Sequence, residues 1–152
     1  MSESAGRNPR LQRANYLVAD IERALQLYRD ILGFEVAFIK DSPSDSYSYP
    51  VFAIDKASTL RFAVLSTSDQ PRVMALTEVS NPGIMAQALP RRAAIVIEIA
   101  DIDGVIADCE RQGFTVYPEE RLETHDGRIG RELGIVDDDG NLVVIYYIPP
   151  VS

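Results

Sequence analysis

The sequence predicts an α+β protein built from two βαβββ-like halves. Three observations lead there. An apolar strand, a capped helix and a glycine stop open the chain and return in its second half, stretches of strand character follow each opening, and an Asp-Gly-Asn turn closes a terminal hairpin.

Residues 1–10 are small and polar with no period, so burial does not offset the entropy of ordering them and a disordered tail is expected. From Leu11 the series Leu11, Ala14, Tyr16 and Val18 starts a strand, and Asp20 offers a carboxylate oxygen to cap the next helix. In that helix Ile21, Ala24, Leu25, Tyr28, Ile31 and Leu32 recur at spacings of three and four, and Gly33 can take the left-handed conformation that ends it. Four strand-like stretches follow at 34–40, 49–54, 59–65 and 72–79, separated by turns rich in Ser, Asp and Pro. Pro50 makes the second of these an edge or a late-starting strand, since proline cannot donate to a central ladder. That is one stretch more than a βαβββ half needs. It either lengthens the meander or forms the edge of a dimer.

The segment SNPGIMAQALP interrupts the pattern, which sets module one at 11–80, a linker at 81–92 and module two at 93–150. The opening theme then repeats: Val18-Ala19-Asp20-Ile21 matches Ile99-Ala100-Asp101-Ile102, and Gly33-Phe34-Glu35-Val36 matches Gly113-Phe114-Thr115-Val116, with a one-residue difference in helix length. Ile102, Val105, Ile106 and Cys109 share one face of the second helix, so Cys109 reads as a core thiol and not as a nucleophile. The chain closes with RELGIVDD (131–138), a turn at Asp139-Gly140-Asn141, and LVVIYYI (142–148).

At 152 residues and 46% hydrophobic, the chain suits one compact domain spanning 11–150. A formal charge of -8 argues against nucleic acid or an anionic membrane as partner, and the arginine pairs 10/13 and 91/92 form no basic stripe. One cysteine permits no intrachain disulfide, and the polar start lacks the apolar core of a secretory signal, so a cytoplasmic location is expected.

The duplicated strand-helix-meander unit, the ending VDDDGNLVVIYY and the opening VADIERALQLYRDILGFEV resemble the vicinal oxygen chelate superfamily (glyoxalases, bleomycin resistance proteins and extradiol dioxygenases) over nearly the whole chain beyond the tail. The resemblance implies a glyoxalase-like fold, with mixed sheets of two βαβββ modules curled around a cleft. It also implies metal ligands on four strands in the enzymatic members, and frequent homodimers. At the corresponding positions this chain carries Arg13, Ala94 and Val144, with the fourth at Ala75 unless a bulge brings in Glu78. His125 is the only histidine. A catalytic divalent ion normally takes three or more His or carboxylate ligands, so no metal and no other cofactor is expected.

Period-two alternation puts Arg13, Asn15, Thr77, Glu98, Val144 and Tyr146 among the residues facing the implied cleft. Arg13 is the candidate anchor for an anionic or carbonyl oxygen, with Asn15, Thr77 and Tyr146 orienting the ligand. The competing reading pairs Arg13 with Glu98. Glu98, His125 and Tyr146 are the candidates for proton transfer, but His125, in a polar run expected to loop over the cleft mouth, and Glu98, at a strand end, read first as solvated groups. Tyr47, Tyr49, Phe52 and Phe62 are read as core or dimer contacts before a ligand platform. The function expected is binding of a small, partly hydrophobic molecule by a homodimer. A lyase or ring-cleaving dioxygenase of the same superfamily, either metal-independent or with unrecognised ligands, is the alternative.

Overall fold

The computed structural model describes residues 6–151. The expected disordered tail lies outside the described residues up to Ala5, and 6–10 are irregular and exposed. Module one runs β1 (Ala14–Val18), α1 (Ile21–Leu25), β2 (Glu35–Asp41), α2 (Ser48–Val51), β3 (Thr59–Ser66) and β4 (Met74–Ser80). Module two runs β5 (Ala94–Glu98), α3 (Ile102–Gln112), β6 (Thr115–Val116), β7 (Glu120–Glu123), β8 (Ile129–Val136) and β9 (Leu142–Tyr147). Each module carries a mixed sheet in which the first strand lies parallel to the last: β1-β4-β3-β2 in one, and β5-β9-β8-β6 with β7 also on β8 in the other.

Both helices start on the aspartate identified from sequence. Asp20 accepts from the Arg23 amide at 3.1 Å and Asp101 from the Gly104 amide at 3.0 Å, each meeting a donor that the first turn leaves free. Gly33 and Gly113 follow with φ of 89° and 81°. The extra residue of the first helix is absorbed locally, since Gln26–Ile31 winds as a π-helix continuing α1. An inserted residue accommodated this way leaves both helix ends, and hence the repeat, in place.

Two strand assignments change. Residues 49–54 are not a strand: Ser48–Val51 forms a helical turn. Pro50 fits there because amides of a first helical turn need no intrahelical acceptor, and Tyr49 and Ile54 are buried by packing with Leu60 and Val79, without strand alternation. This accounts for the surplus stretch. Conversely, the polar run around His125 is not simply a loop, because β7 pairs with β8 and His125 sits exposed in the turn joining them.

One hydrophobic core joins the modules, packing Ile21, Leu25, Tyr28 and Leu76 with Ile102, Cys109, Ile135 and Ile145. Cys109 is fully buried there, and burial pushes its thiol up to about 11, as suits an inert core group. Polar contacts then fix the modules to each other. The Tyr16 hydroxyl enters the parallel β5–β9 pair, accepting from the Ile95 amide at 2.8 Å and donating to the Leu142 carbonyl at 2.6 Å. Asn141 Nδ2 donates to the Leu17 carbonyl and Asp139 Oδ1 accepts from the Ala19 amide, each at 3.0 Å, so the β8–β9 turn clasps the free edge of β1.

Candidate functional site

Arg13, Asn15 and Thr77 converge on one side of sheet one, where the parallel register sets Asn15 beside Ala75 and Leu17 beside Thr77. They line a cavity of about 270 Å³ with Ser42, Ser46 and Ser48, against Phe62, Val64 and Ala75. The α2 segment supplies the serines, having folded onto this face because Tyr49 and Ile54 bury themselves against Leu60 and Val79. Sequence reasoning missed these hydroxyls. The serine-rich run DSPSDSYSY was the available signal, hidden by the assignment of 49–54 to a strand.

The hydrogen bonding around the cavity has a direction. The buried Thr77 hydroxyl donates to Asn15 Oδ1 at 2.9 Å, which leaves both N–H donors of that amide free for the cavity. The Ser46 oxygen accepts from the Ser48 amide at 3.2 Å and keeps its own proton to give. Among the described residues Arg13 forms no ion pair, and its one hydrogen bond is a long contact of 3.4 Å from Nε to the Arg72 carbonyl. No carboxylate of the described residues lines the cavity. Such a donor-rich pocket beside a permanently charged guanidinium complements an oxyanion.

The other candidates lie elsewhere. Glu98 and Tyr146 are neighbours across the β5–β9 pair and border a separate crevice of about 550 Å³, shared with the Leu32–Glu35 and Thr67–Gln70 turns. Val144 stands between Val96 and Gly134 in sheet two, on neither cavity. The structure thus brings Arg13, Asn15 and Thr77 together but not with Glu98, Val144 or Tyr146, and it offers no Arg13–Glu98 pair.

Glu78 points to the opposite side of β4 from Thr77. It accepts from the Ile21 amide at 2.8 Å and from Arg61, so no bulge carries it to the cavity. Asp20, Glu22 and Glu78 cluster closely, with Arg61 bonded to both glutamates. Desolvation alone would raise the Glu78 carboxyl, but its bonds from Arg61 and the Ile21 amide outweigh this and hold it below 4.5. A carboxylate held low in the fold stabilises above its unfolded value, and that contribution disappears as pH falls through the folded one. Stability in urea is therefore expected to drop on acidification below pH 4.5, and to drop less steeply in Glu78→Gln. Equal acid sensitivity in the two proteins would assign the effect to other carboxylates. Asp139, raised by burial, contributes with the opposite sign.

Comparison with known proteins gives a consistent family. The family model for the Glyoxalase/Bleomycin resistance protein/Dioxygenase superfamily matches residues 10–145. No curated protein matches. Similar solved structures include a glyoxalase family protein from Bacillus cereus, with TM-score 0.74, 12% identity, and coverage of 98% of this chain and 100% of that one. The trypanothione-dependent glyoxalase I of Leishmania major has TM-score 0.62 at 20% identity, covering 92% and 87%. The fosfomycin resistance protein FosX of Mesorhizobium loti has TM-score 0.57 at 15% identity, covering 97% and 93%. At these identities the structural likeness speaks for the fold alone.

Proposed function

Since the chain belongs to the Glyoxalase/Bleomycin resistance protein/Dioxygenase superfamily, we propose that it is a binding member whose 270 Å³ cavity takes a small organic anion, carboxylate or phosphonate end toward Arg13 and apolar body against Phe62 and Val64. The observation that carries this is the Arg13 guanidinium, unpaired among the described residues, beside donors of Asn15 and the serines that none of their carboxylates opposes. Glu98, His125 and Tyr146, the candidates for proton transfer, lie away from this cavity, which favours binding over turnover.

The residues at the family's metal positions do not fit a divalent ion. Ala75, Ala94 and Val144 offer no donor atom, and a permanent positive charge at Arg13 repels a cation. We read the protein as metal-independent on that chemistry. We read it further as a cytoplasmic homodimer: Val96 on sheet two is 62% exposed and Phe38 and Ile129 are also uncovered, apolar surface that a second copy would shield. No helix among the described residues is long and apolar enough to cross a membrane.

Calorimetric titration with benzoate and phenylphosphonate, and with neutral benzamide as control, tests the reading. The acids are expected to bind and benzamide not to. Arg13→Ala should weaken the acids by about 10- to 100-fold, the value of hydrogen bonds to a charged group. Equal binding of acid and amide, or undiminished affinity in Arg13→Ala, would overturn it. Stoichiometric divalent metal in the untagged purified protein would overturn the metal-free part.

A further inference from the structure

Three cations meet beside the anion cavity with nothing to neutralise them. Arg10, Arg13 and Arg72 border a second recess of about 350 Å³, completed by Gln12, Phe38 and Pro71. No carboxylate of the described residues lines it. Among the described residues none of the three guanidiniums takes part in an ion pair. Like charges brought together repel, and a chain with 23 Asp and Glu against 15 Lys and Arg has acids in excess that could have met them. The fold instead keeps this corner positive.

Two backbone irregularities put these groups where they are. Arg72 stands at φ 53°, in the left-handed region that a residue with a Cβ rarely adopts. Its amide donates to Ser66 Oγ at 2.8 Å and its carbonyl accepts from Arg13 Nε, so the β3–β4 turn holds Arg72 next to Arg13. The second irregularity is a bulge in β2. Val36 pairs with the buried Leu65 and packs on the main core, and unbroken pairing would set Phe38 opposite Ala63, on that same core face. An extra residue at Ala37 moves Phe38 opposite Val64 instead, which turns it to the face of the anion cavity. There it stays 41% exposed, T-shaped against Phe62 with ring centres 6.0 Å apart. Phe62 is a wall of the cavity, Phe38 is a wall of the recess, and Arg13 belongs to both.

We propose that the ligand is bifunctional, a small carboxylic acid that carries a phosphoryl group, phosphate ester or phosphonate, at its far end. The carboxylate sits with Asn15 and the serines, the apolar middle lies along Phe62 and Phe38, and the phosphoryl oxygens reach Arg10, Arg13 and Arg72. Charge selects the second group. One carboxylate neutralises a single guanidinium, whereas a phosphoryl group brings close to two charges and three acceptor oxygens, in a geometry that arginine forks match. The re-aimed Phe38 selects the middle, because it joins the two spaces by an apolar surface that a free inorganic anion would not use. This rests on the anion cavity read above and names the class of molecule that cavity takes.

Calorimetric titration of the full-length protein with para-(phosphonomethyl)benzoate, against para-methylbenzoate as the same body without the second charge, tests it. The phosphonate is expected to tighten binding by about 10- to 100-fold, the value of hydrogen bonds between charged partners. In Arg72→Asn, where asparagine tolerates the left-handed conformation, the readout is the ratio of the two affinities, expected to fall by about tenfold. Phe38→Ala should weaken the bifunctional acid by about threefold through lost aromatic contact. No gain over para-methylbenzoate, a ratio unmoved in Arg72→Asn, or inorganic phosphate binding as tightly as the bifunctional acid would overturn the proposal while the benzoate result stands. Failure of benzoate itself to bind would overturn the cavity reading, and the proposal with it.

Discussion

Asp137→Ala is expected to lower the free energy of unfolding by about 3–5 kcal/mol, the range for breaking a buried, fully engaged charged group. Asp137 is 6% exposed, and its carboxylate accepts four bonds. They come from the Tyr28 hydroxyl and from the amides of Asp139 and Asn141, each at 2.9 Å, and from Asn141 Nδ2 at 3.0 Å. Burial, and then the neighbouring Asp137 charge, push the Tyr28 phenol well above its ordinary range, so it stays a donor. Alanine would strand four donors at the point where the β8–β9 turn holds β1. Tyr28→Phe removes one bond and is expected to cost only about 1–2 kcal/mol. Chemical denaturation checks both. A loss under 1 kcal/mol for Asp137→Ala would mean that water replaces the carboxylate and that the turn is not the fastening it looks to be.

The same residues show what could be read in advance. The Asp-Gly-Asn turn, both aspartate caps, the glycine stops and the repeat were legible because each is a local event, set within a few residues by backbone geometry and hydrogen bonding. The use of Asp139 and Asn141 to cap an edge some 120 residues away was not, because no local pattern records a partner that only the assembled modules supply. The cavity was half legible. Period two put Asn15 and Thr77 on one face of their strands, and that holds because both strands are regular. It also grouped them with Glu98, Val144 and Tyr146, which the fold separates, since alternation fixes a face within a sheet and not how two sheets face each other. The serines were lost with α2, where an apolar run buried by a helical turn imitated a strand.

That turn carries the second large effect. Tyr49→Ala is expected to cost about 3–5 kcal/mol, as for truncation of a buried aromatic, yet to act locally. Tyr49 belongs to a small cluster with Ile54, Leu60 and Val79 that is separate from the core uniting the modules. Its hydroxyl donates to the Ser58 carbonyl at 2.7 Å, and the Lys56 ammonium lies 4.7 Å from its ring centre, so the C-terminal end of the segment is fastened through this one side chain. Without it, residues 42–58 lose their hold on the sheet while α1, α3 and the main core keep theirs. Hydrogen exchange should then accelerate across 42–58 and hardly change in β4 and β9, and benzoate binding should weaken because Ser46 and Ser48 no longer close the cavity. Tyr49→Phe, which keeps the packing and forgoes one hydrogen bond, should retain binding at a cost of about 1 kcal/mol. Exchange rising equally in β4 and β9 would make the segment an integral part of the core. Unchanged benzoate affinity in Tyr49→Ala would show that Arg13 and Asn15 hold the anion without the serines, and the specificity of the site would then rest on β1 and β4 alone.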